Sequence, residues 1–403
     1  MKFNIIENFR KENYFNKIIL IAFVLIIGSD FFMKLNNYTN VFPVFRYSGI
    51  VKLLFEFFII VVAFKKGINK QSIYLIGVLI ASFFIGQLFL TKNSILSGPL
   101  LDEVLRGDIY HLNKYIFIIL FISVIEDHKD RVKLSKMVVN MVLLVLSINS
   151  LLILCGFLFN VDIFQSFPGS KRFGYSGLFI KSGESVLLYL LASIYFYIKF
   201  LKGKSIWPVI YFCIVALLSG KKIAILILPL FYIVHFCFQS RFKQFYRVFG
   251  ILGLTSILMF KNVILEYTVK LFPFWEVLLK ERGFWTVIFS TRDLNFYKTF
   301  NFIVEYWTPL NYLFGGTNYN QLRIEIDPFD LFVFLGLVGL ILYLLFVKNK
   351  YLAPIKNNTI NYLVVGFLII GMIYGAFLFN ILLMTILYLF VILFSTYQLK
   401  END

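Results

Sequence analysis

The stretch of residues 290–339 combines charged side chains of the types that carry out group transfer. Arg292 follows Ser290 and Thr291, either of which can cap a helix, and Asp293 suits the first turn of that helix. A helix N-terminus attracts anions, and a guanidinium there predicts a site for a diphosphate. The alternative is an arginine that contacts lipid headgroups.

Two carboxylates, Glu325 and Asp327, lie two residues apart directly before a strongly apolar run, in the sequence RIEIDPFDLFVFLG. Asp327, Pro328 and Asp330 also form a good helix start, so Asp327 is equally well explained as a helix cap. Glu325 has no such structural role and could accept a proton from an acceptor hydroxyl. We therefore take Arg292, Glu325 and Asp327 as candidate catalytic residues.

Two further basic segments lie between apolar runs. Lys171 and Arg172 belong to a glycine-rich loop, and Lys221 and Lys222 follow a tight Ser-Gly turn. These four side chains are candidate ligands for the diphosphate of an anionic lipid head group. The alternatives are a flexible loop balanced by headgroup phosphates and lysines that anchor the chain at the membrane interface.

No phosphate-binding loop, no metalloprotease or serine-hydrolase motif and no metal-ligand spacing is present in the sequence. Cys155, Cys213 and Cys237 all lie in apolar runs, which favours neither a disulfide framework nor a metal site. We expect no nucleotide, no metal and no other cofactor, which suits a substrate that already carries a good leaving group.

The composition indicates a polytopic membrane protein. The chain has 403 residues, of which 60% are hydrophobic, 19% aromatic and only 15% charged, whereas soluble domains carry about 25% charged residues. The net charge of +17 comes from basic residues in short loops between apolar runs, as the positive-inside rule predicts. This distribution excludes a nucleic-acid partner.

The apolar runs predict a single all-α membrane domain, residues 1–403, built as a polytopic bundle of about twelve transmembrane helices. The loop charges place both termini in the cytoplasm. A long loop on the outer face, residues 261–328, lies between the ninth and tenth predicted spans and contains an amphipathic helix. The predicted spans are 17–33, 49–64, 73–90, 115–125, 137–159, 186–200, 206–218, 223–238, 248–260, 329–347, 360–377 and 380–396.

Two local predictions accompany this topology. Residues 91–114, which include Asp102, Glu103 and Asp108, are predicted as a loop on the outer face. The fourth predicted span is short, and the alternative is a start near Ile109. Lys52 and Glu56 lie four residues apart in the second span and are predicted to pair with each other.

Residues 167–343 resemble the superfamily of Wzy O-antigen polymerases and O-antigen ligases, membrane glycosyltransferases of the GT-C type. The resemblance rests on Arg172-Phe-Gly before a glycine-rich run, on LLSGKKIAIL and on Arg292 opening the long loop. It also rests on PLNYLFGG followed by EIDPFDLFVFLGLVGL. Lys222 stands where the family usually has arginine. The Glu-x-Asp pattern is similar to that of the polymerases, whereas ligases carry a histidine there, and no histidine follows His235.

The resemblance implies a polymerase of undecaprenyl-diphosphate-linked oligosaccharides, acting at the periplasmic face of the bacterial inner membrane. Arg172, Arg292 and the neighbouring lysines would neutralise the leaving diphosphate, and Glu325 or Asp327 would deprotonate or orient the acceptor hydroxyl. Membrane lipids are expected partners, with a chain-length regulator as a further one.

Other functions remain open from the sequence. An O-antigen ligase or a capsule polymerase would have the same architecture. A polysaccharide flippase would have short loops on both faces and charges buried within helices. A membrane acyltransferase would need a buried histidine, and a purely structural membrane protein is a further alternative.

Overall fold

The computed structural model describes most of the chain, and its regular elements there are helices. The described residues are 13–39, 47–90, 100–167, 169, 172–226, 290–319 and 321–397, with scattered residues between 230 and 286.

We number the α-helices in chain order through the described residues. They are α1 (Tyr14–Thr39), α2 (Tyr47–Lys66), α3 (Lys70–Leu88), α4 (Leu100–Glu126), α5 (Arg131–Phe159), α6 (Ser182–Leu201), α7 (Trp207–Leu218), α8 (Arg292–Tyr306), α9 (Pro309–Phe314), α10 (Asp327–Val347), α11 (Asn358–Tyr374) and α12 (Ile381–Ser395). Short 3₁₀ helices span Asp162–Phe164 and Lys222–Leu226.

Seven of the described helices are long and apolar enough to cross a membrane, and α7, α11 and α12 are shorter apolar helices. The chain is therefore an all-α, multi-pass membrane protein, as its composition predicts. About half of each of the predicted spans 223–238 and 248–260 lies outside the described residues, as does most of the first half of the predicted loop 261–328. The total of twelve spans remains a prediction.

Helix α12 lies at the centre of the bundle. It packs against α4, α5 and α6, and its residues from Leu382 to Phe394 are all buried. An almost uniformly apolar helix has no polar face to present to water or to a headgroup layer, so it is most stable in the middle of the protein.

The predicted outer loop 91–114 is wrong from Leu100 onward. Helix α4 begins at Leu100 and continues to Glu126, so Asp102, Glu103 and Asp108 are helical residues. Asp108 is fully buried, and its Oδ1 accepts a hydrogen bond from the amide of Tyr319 at 3.0 Å. The acidic residues suggested a solvated loop, whereas a contact from a distant part of the chain stabilises one of them inside the bundle.

Helix α8 is the helix that the sequence predicted after Thr291. Thr291 precedes it in a left-handed conformation (φ 71°) and makes no side-chain capping hydrogen bond. Phe302 and Thr299 pack inward, and Phe296 and Phe300 stay exposed with ring centroids 6.5 Å apart. An exposed aromatic pair on one side of a polar helix suits a position in the membrane interface.

Helix α10 is interrupted at Gly336, whose φ of 67° and ψ of −172° are not helical. A side chain at Gly336 would collide with the backbone of Leu313 in α9. The interruption thus lets α9 and the glycine pair that follows it approach α10 closely, and it positions the loop that leads to Glu325.

Candidate functional site

The loop of Arg172 and the turn of Lys221 are joined by their backbones. The amide of Tyr175 donates to the carbonyl of Leu218 at 2.9 Å, and the Ser166 hydroxyl donates to the carbonyl of Ser219 at 3.3 Å. On the other side, Lys34 of α1 donates to Ser176 Oγ and to the Gly177 carbonyl. The glycine-rich loop is therefore held in one position by two neighbouring elements.

Substitution of Gly220 tests the contact between these two backbones. Its φ is +70°, and a Cβ there would collide with the carbonyl of Phe173. Gly203 has a similar φ of +79° but open space around it. Gly203→Ala should cost only the left-handed backbone penalty of about 1–2 kcal/mol, and Gly220→Ala should cost about 1–3 kcal/mol more through overpacking.

Thermal unfolding of the two purified variants in the same detergent measures this difference. Equal melting temperatures would mean that the two backbones do not pack as closely as described.

Arg172 and Lys221 lie on the same aromatic ring. The guanidinium carbon of Arg172 is 5.2 Å from the ring centroid of Phe167, and Nζ of Lys221 is 4.6 Å from it. Both distances are in the cation–π range. Two cations on one ring form a concentrated positive charge. Lys222 follows Lys221 directly, and the charge of Arg292 acts on both lysines. We call Arg172, Lys221, Lys222 and Arg292 the first basic cluster.

Arg292 connects α8 to the C-terminal end of α11. Its two terminal nitrogens donate to the carbonyls of Ile373 at 3.0 Å and Tyr374 at 2.5 Å. Its Nε lies 3.8 Å from a carboxylate oxygen of Glu325. A guanidinium has five N–H donors, so these contacts leave donors for a further anion while fixing the orientation of the side chain.

The charges of the first basic cluster act on one another. Although part of the Lys222 side chain reaches the surface, loss of hydration lowers its pKa, and the charges of Arg172 and Arg292 also lower it. Together they bring the pKa of Lys222 to about 8. Burial likewise lowers the pKa of Lys221, with Arg172 and Arg292 also lowering it and Glu325 raising it. Segments far apart in sequence therefore contribute charges to one neighbourhood.

Glu325 is held in a strained conformation beside Arg292. Its φ is +65°, which a residue with a side chain rarely adopts. Its amide donates to the carboxylate of Asp330 at 3.2 Å, and its carbonyl packs against Gly375. The side chain itself is 54% exposed. The backbone is thus fixed while the carboxylate remains accessible to a ligand.

Asp327 is not the helix cap that the sequence suggested, and its candidate catalytic role stays a prediction. It is 1% exposed, and one of its oxygens accepts hydrogen bonds from the amides of Phe377 at 2.9 Å and Leu378 at 2.6 Å. It makes no capping bond to its own helix. Asp327 therefore anchors the loop between α11 and α12, residues 375–380, through one carboxylate oxygen.

The remaining predicted residues divide as follows. Lys171 lies outside the described residues. Lys52 does not pair with Glu56 but lies 4.0 Å from Asp30 of α1, and Glu56 accepts a hydrogen bond from Asn113 at 2.8 Å. Spacing along one helix identified neighbours, but contacts with α1 and α4 determine the actual partners.

Sequence reasoning missed two cations, Lys114 in α4 and Arg323 in the loop before α10. Both lie close to the ring of Phe379, which precedes α12. An ionisable residue inside an apolar helix is itself a signal of function, but the loop predicted for residues 91–114 concealed this signal at Lys114.

A cavity of about 360 Å³ lies elsewhere, between α5, α6 and α7. Asn140, Ser147 and Trp207 are among its lining residues, and no residue of the first basic cluster lines it.

No protein-family model matches the chain, and no curated protein and no solved structure matches it. The fold and the site define a class of protein: a multi-pass α-helical membrane protein with a cluster of cations at one end of its helix bundle.

Proposed function

We propose that the protein is a membrane glycosyltransferase that polymerises lipid-linked oligosaccharide units, with undecaprenyl diphosphate as the leaving group. One observation carries the proposal. Arg172, Lys221, Lys222 and Arg292 come from three separate segments and share one electrostatic neighbourhood beside the exposed carboxylate of Glu325.

The first basic cluster suits the leaving group of this reaction. An acceptor hydroxyl oxygen forms a bond to the anomeric carbon of the donor sugar, and the bond from that carbon to the diphosphate oxygen breaks. Negative charge then develops on the departing lipid diphosphate. Fixed cations at this position stabilise that charge more in the transition state than in the bound substrate, which is how such groups accelerate a reaction.

Glu325 suits the role of the base that takes the acceptor proton. Its ion pair with Arg292 keeps the carboxylate beside the leaving-group cations. Asp327 is buried and occupied by two backbone amides, so we assign it a structural role. The base is therefore the first carboxylate of the Glu-x-Asp pattern.

Basic residues at the opposite end of the bundle support a cytoplasmic location for that end. Lys350 lies just after α10 and pairs with Glu126, the last residue of α4, at 2.6 Å. The loops that follow these two helices therefore lie together. Such an asymmetry follows the positive-inside rule, so the first basic cluster would face the periplasm of an inner membrane. The basic residues of these loops are Lys65, Lys66, Lys70, Lys129, Arg131, Lys133, Lys202, Lys204, Lys348 and Lys350.

One observation favours a second candidate, a flippase for the same lipid-linked sugars. Asp30, Glu56 and Lys114 lie well inside membrane helices, and transporters use intramembrane charges in this way. Transport would need no leaving-group chemistry, and a flippase would move the lipid without lengthening its glycan.

Deletion of the gene in the bacterium that encodes it tests the proposal. Loss of a polymerase leaves a single repeat unit on the lipopolysaccharide core, which one gel detects. Bare core would indicate a ligase, and accumulation of unpolymerised units on the cytoplasmic leaflet would indicate a flippase. Either of these results would overturn the proposal.

The pH dependence of the reaction offers a further prediction. A lysine whose pKa is about 8 is positive below pH 8 and loses its charge above it. The kcat/KM for lipid-linked donor should therefore fall as pH rises above about 8, because this parameter reports groups of the free enzyme. The unperturbed lysine pKa would place this fall near about 10.4.

Lys222→Arg is the matched variant, since arginine keeps its charge through this range. In this variant, the fall in kcat/KM that Lys222 causes above pH 8 should disappear. Any part of the fall that Lys221 causes should remain. A wild-type profile that stays flat to pH 10 would contradict the assignment of Lys222 to the site.

A further inference from the structure

A second group of cations surrounds Lys114, in the middle of α4. The polar contact of its ammonium is Nδ1 of His111 at 3.3 Å, and the rings of Tyr110 and Phe379 lie 4.3 and 5.1 Å from it. Among the residues that the structure describes, no carboxylate pairs with Lys114. A lysine inside an apolar bundle is costly unless an anion accompanies it.

The ring of Phe379 carries two cations, as the ring of Phe167 does. The guanidinium carbon of Arg323 is 4.9 Å from the Phe379 centroid, on which Lys114 also lies. Arg172 and Lys221 occupy equivalent distances around Phe167. The same arrangement, two cations on one phenylalanine ring, thus occurs twice in the described structure.

Most of the charged groups that act on Lys114 are cations. The charged groups close enough to act on it are Lys52, Lys181, Arg323 and one carboxylate, Glu184. The carboxylates that accompany these cations lie at ion-pair distances of 3.6 Å or more: Lys181 to Glu184 at 3.6 Å, Arg323 to Asp330 at 3.8 Å and Lys52 to Asp30 at 4.0 Å. These pairs are longer than direct hydrogen bonds, so the cations retain donors for another anion.

The two groups of cations lie at opposite ends of one short loop, residues 375–380. Arg292 binds the carbonyl of Tyr374, directly before the loop. Phe379 is near its end, and Asn380 donates to Glu184 at 2.8 Å. Five residues of extended chain span at most roughly 17 Å, so two head groups could lie side by side.

We propose that Lys114, Arg323 and Lys181 form a second anion site, which binds the diphosphate head group of a second lipid-linked substrate. The inference rests on the proposed function, because a polymerase must hold a donor and an acceptor that both carry a lipid diphosphate. The donor occupies the first basic cluster, and the acceptor lipid occupies the second. Lys181, whose side chain is 73% exposed, marks the entrance to the second site.

Native mass spectrometry of the full chain in nanodiscs, titrated with undecaprenyl diphosphate, tests the inference. The wild-type protein should bind two equivalents. Lys114→Gln should weaken the second equivalent at least about tenfold, since it removes a charge-assisted contact. Lys181→Gln alters an exposed side chain that folding does not require, and it should weaken the same equivalent by a few fold.

Two controls complete the design. Lys202→Gln, at the opposite end of the bundle where Lys202 faces the ring of Tyr397, should leave both equivalents unchanged. Phosphatidylglycerol at the same concentration should displace neither, whereas inorganic pyrophosphate should compete with both. Displacement of the second equivalent by phosphatidylglycerol would identify an ordinary phospholipid site and overturn the inference.

The remaining outcomes separate the two proposals. In one of them, the wild type binds one equivalent of lipid that is lost in Arg292→Ala but unchanged in Lys114→Gln and Lys181→Gln. That result would exclude the second site and leave the first intact. Two equivalents that both survive Arg292→Ala would remove the first basic cluster from lipid binding and with it the proposed function.

Discussion

Arg292→Ala should reduce glycosyl transfer by about 10²–10³-fold, the usual loss when one fixed donor to a developing negative charge is removed. The guanidinium lies at the start of α8, is held by two carbonyls at the end of α11 and faces Glu325. The measurement is the length distribution of the surface glycan in a deletion strain that expresses the variant, with the amount of protein in the membrane measured in parallel.

Two companions make this experiment specific. Lys280→Ala removes a cation whose side chain is 73% exposed and whose partner is Glu276, and it should leave chain length unchanged. Arg292→Lys keeps the charge but cannot reproduce the forked contact with Ile373 and Tyr374. Normal chain length in Arg292→Ala at normal protein level would exclude Arg292 from the reaction.

Asp327→Ala should have the largest effect on stability. The substitution leaves the amides of Phe377 and Leu378 buried without an acceptor. Losing a buried charged acceptor of this kind costs about 3–5 kcal/mol. We expect a large fall in melting temperature and in the amount of protein recovered from membranes.

Asp327→Asn separates the structural role from a catalytic one. The asparagine oxygen can accept from the same two amides, so this variant should fold and keep most of its activity. A stable Asp327→Asn protein without activity would instead identify Asp327 as a group that handles protons, and Glu325 would then lose that role.

Hydropathy predicted the membrane helices well because each span is determined by its own sequence. The described helices α1, α2, α3, α5 and α6 coincide closely with predicted apolar runs. Helix α4 was predicted too short because Asp108 and its acidic neighbours suggested water, although a distant amide satisfies Asp108 within the bundle.

The candidate site was predictable only in its residue types. Arginines and lysines in separate loops suggested an anion site, and the described contacts bring Arg172 and Lys221 onto one ring. The partners of Asp327 lie fifty residues further along the chain in a loop without any motif. Likewise, nothing in the spacing of Lys114 or Arg323 indicates that both would reach Phe379.

The loop of residues 375–380 has a consequence for the evolution of this protein. Gly375 and Ala376 both have positive φ, and the two amides that follow them bind a single oxygen of Asp327. One inserted residue would move these amides out of register with that oxygen and would also shift Phe379 relative to Lys114. Natural relatives should therefore vary in length in other connections and keep this one constant.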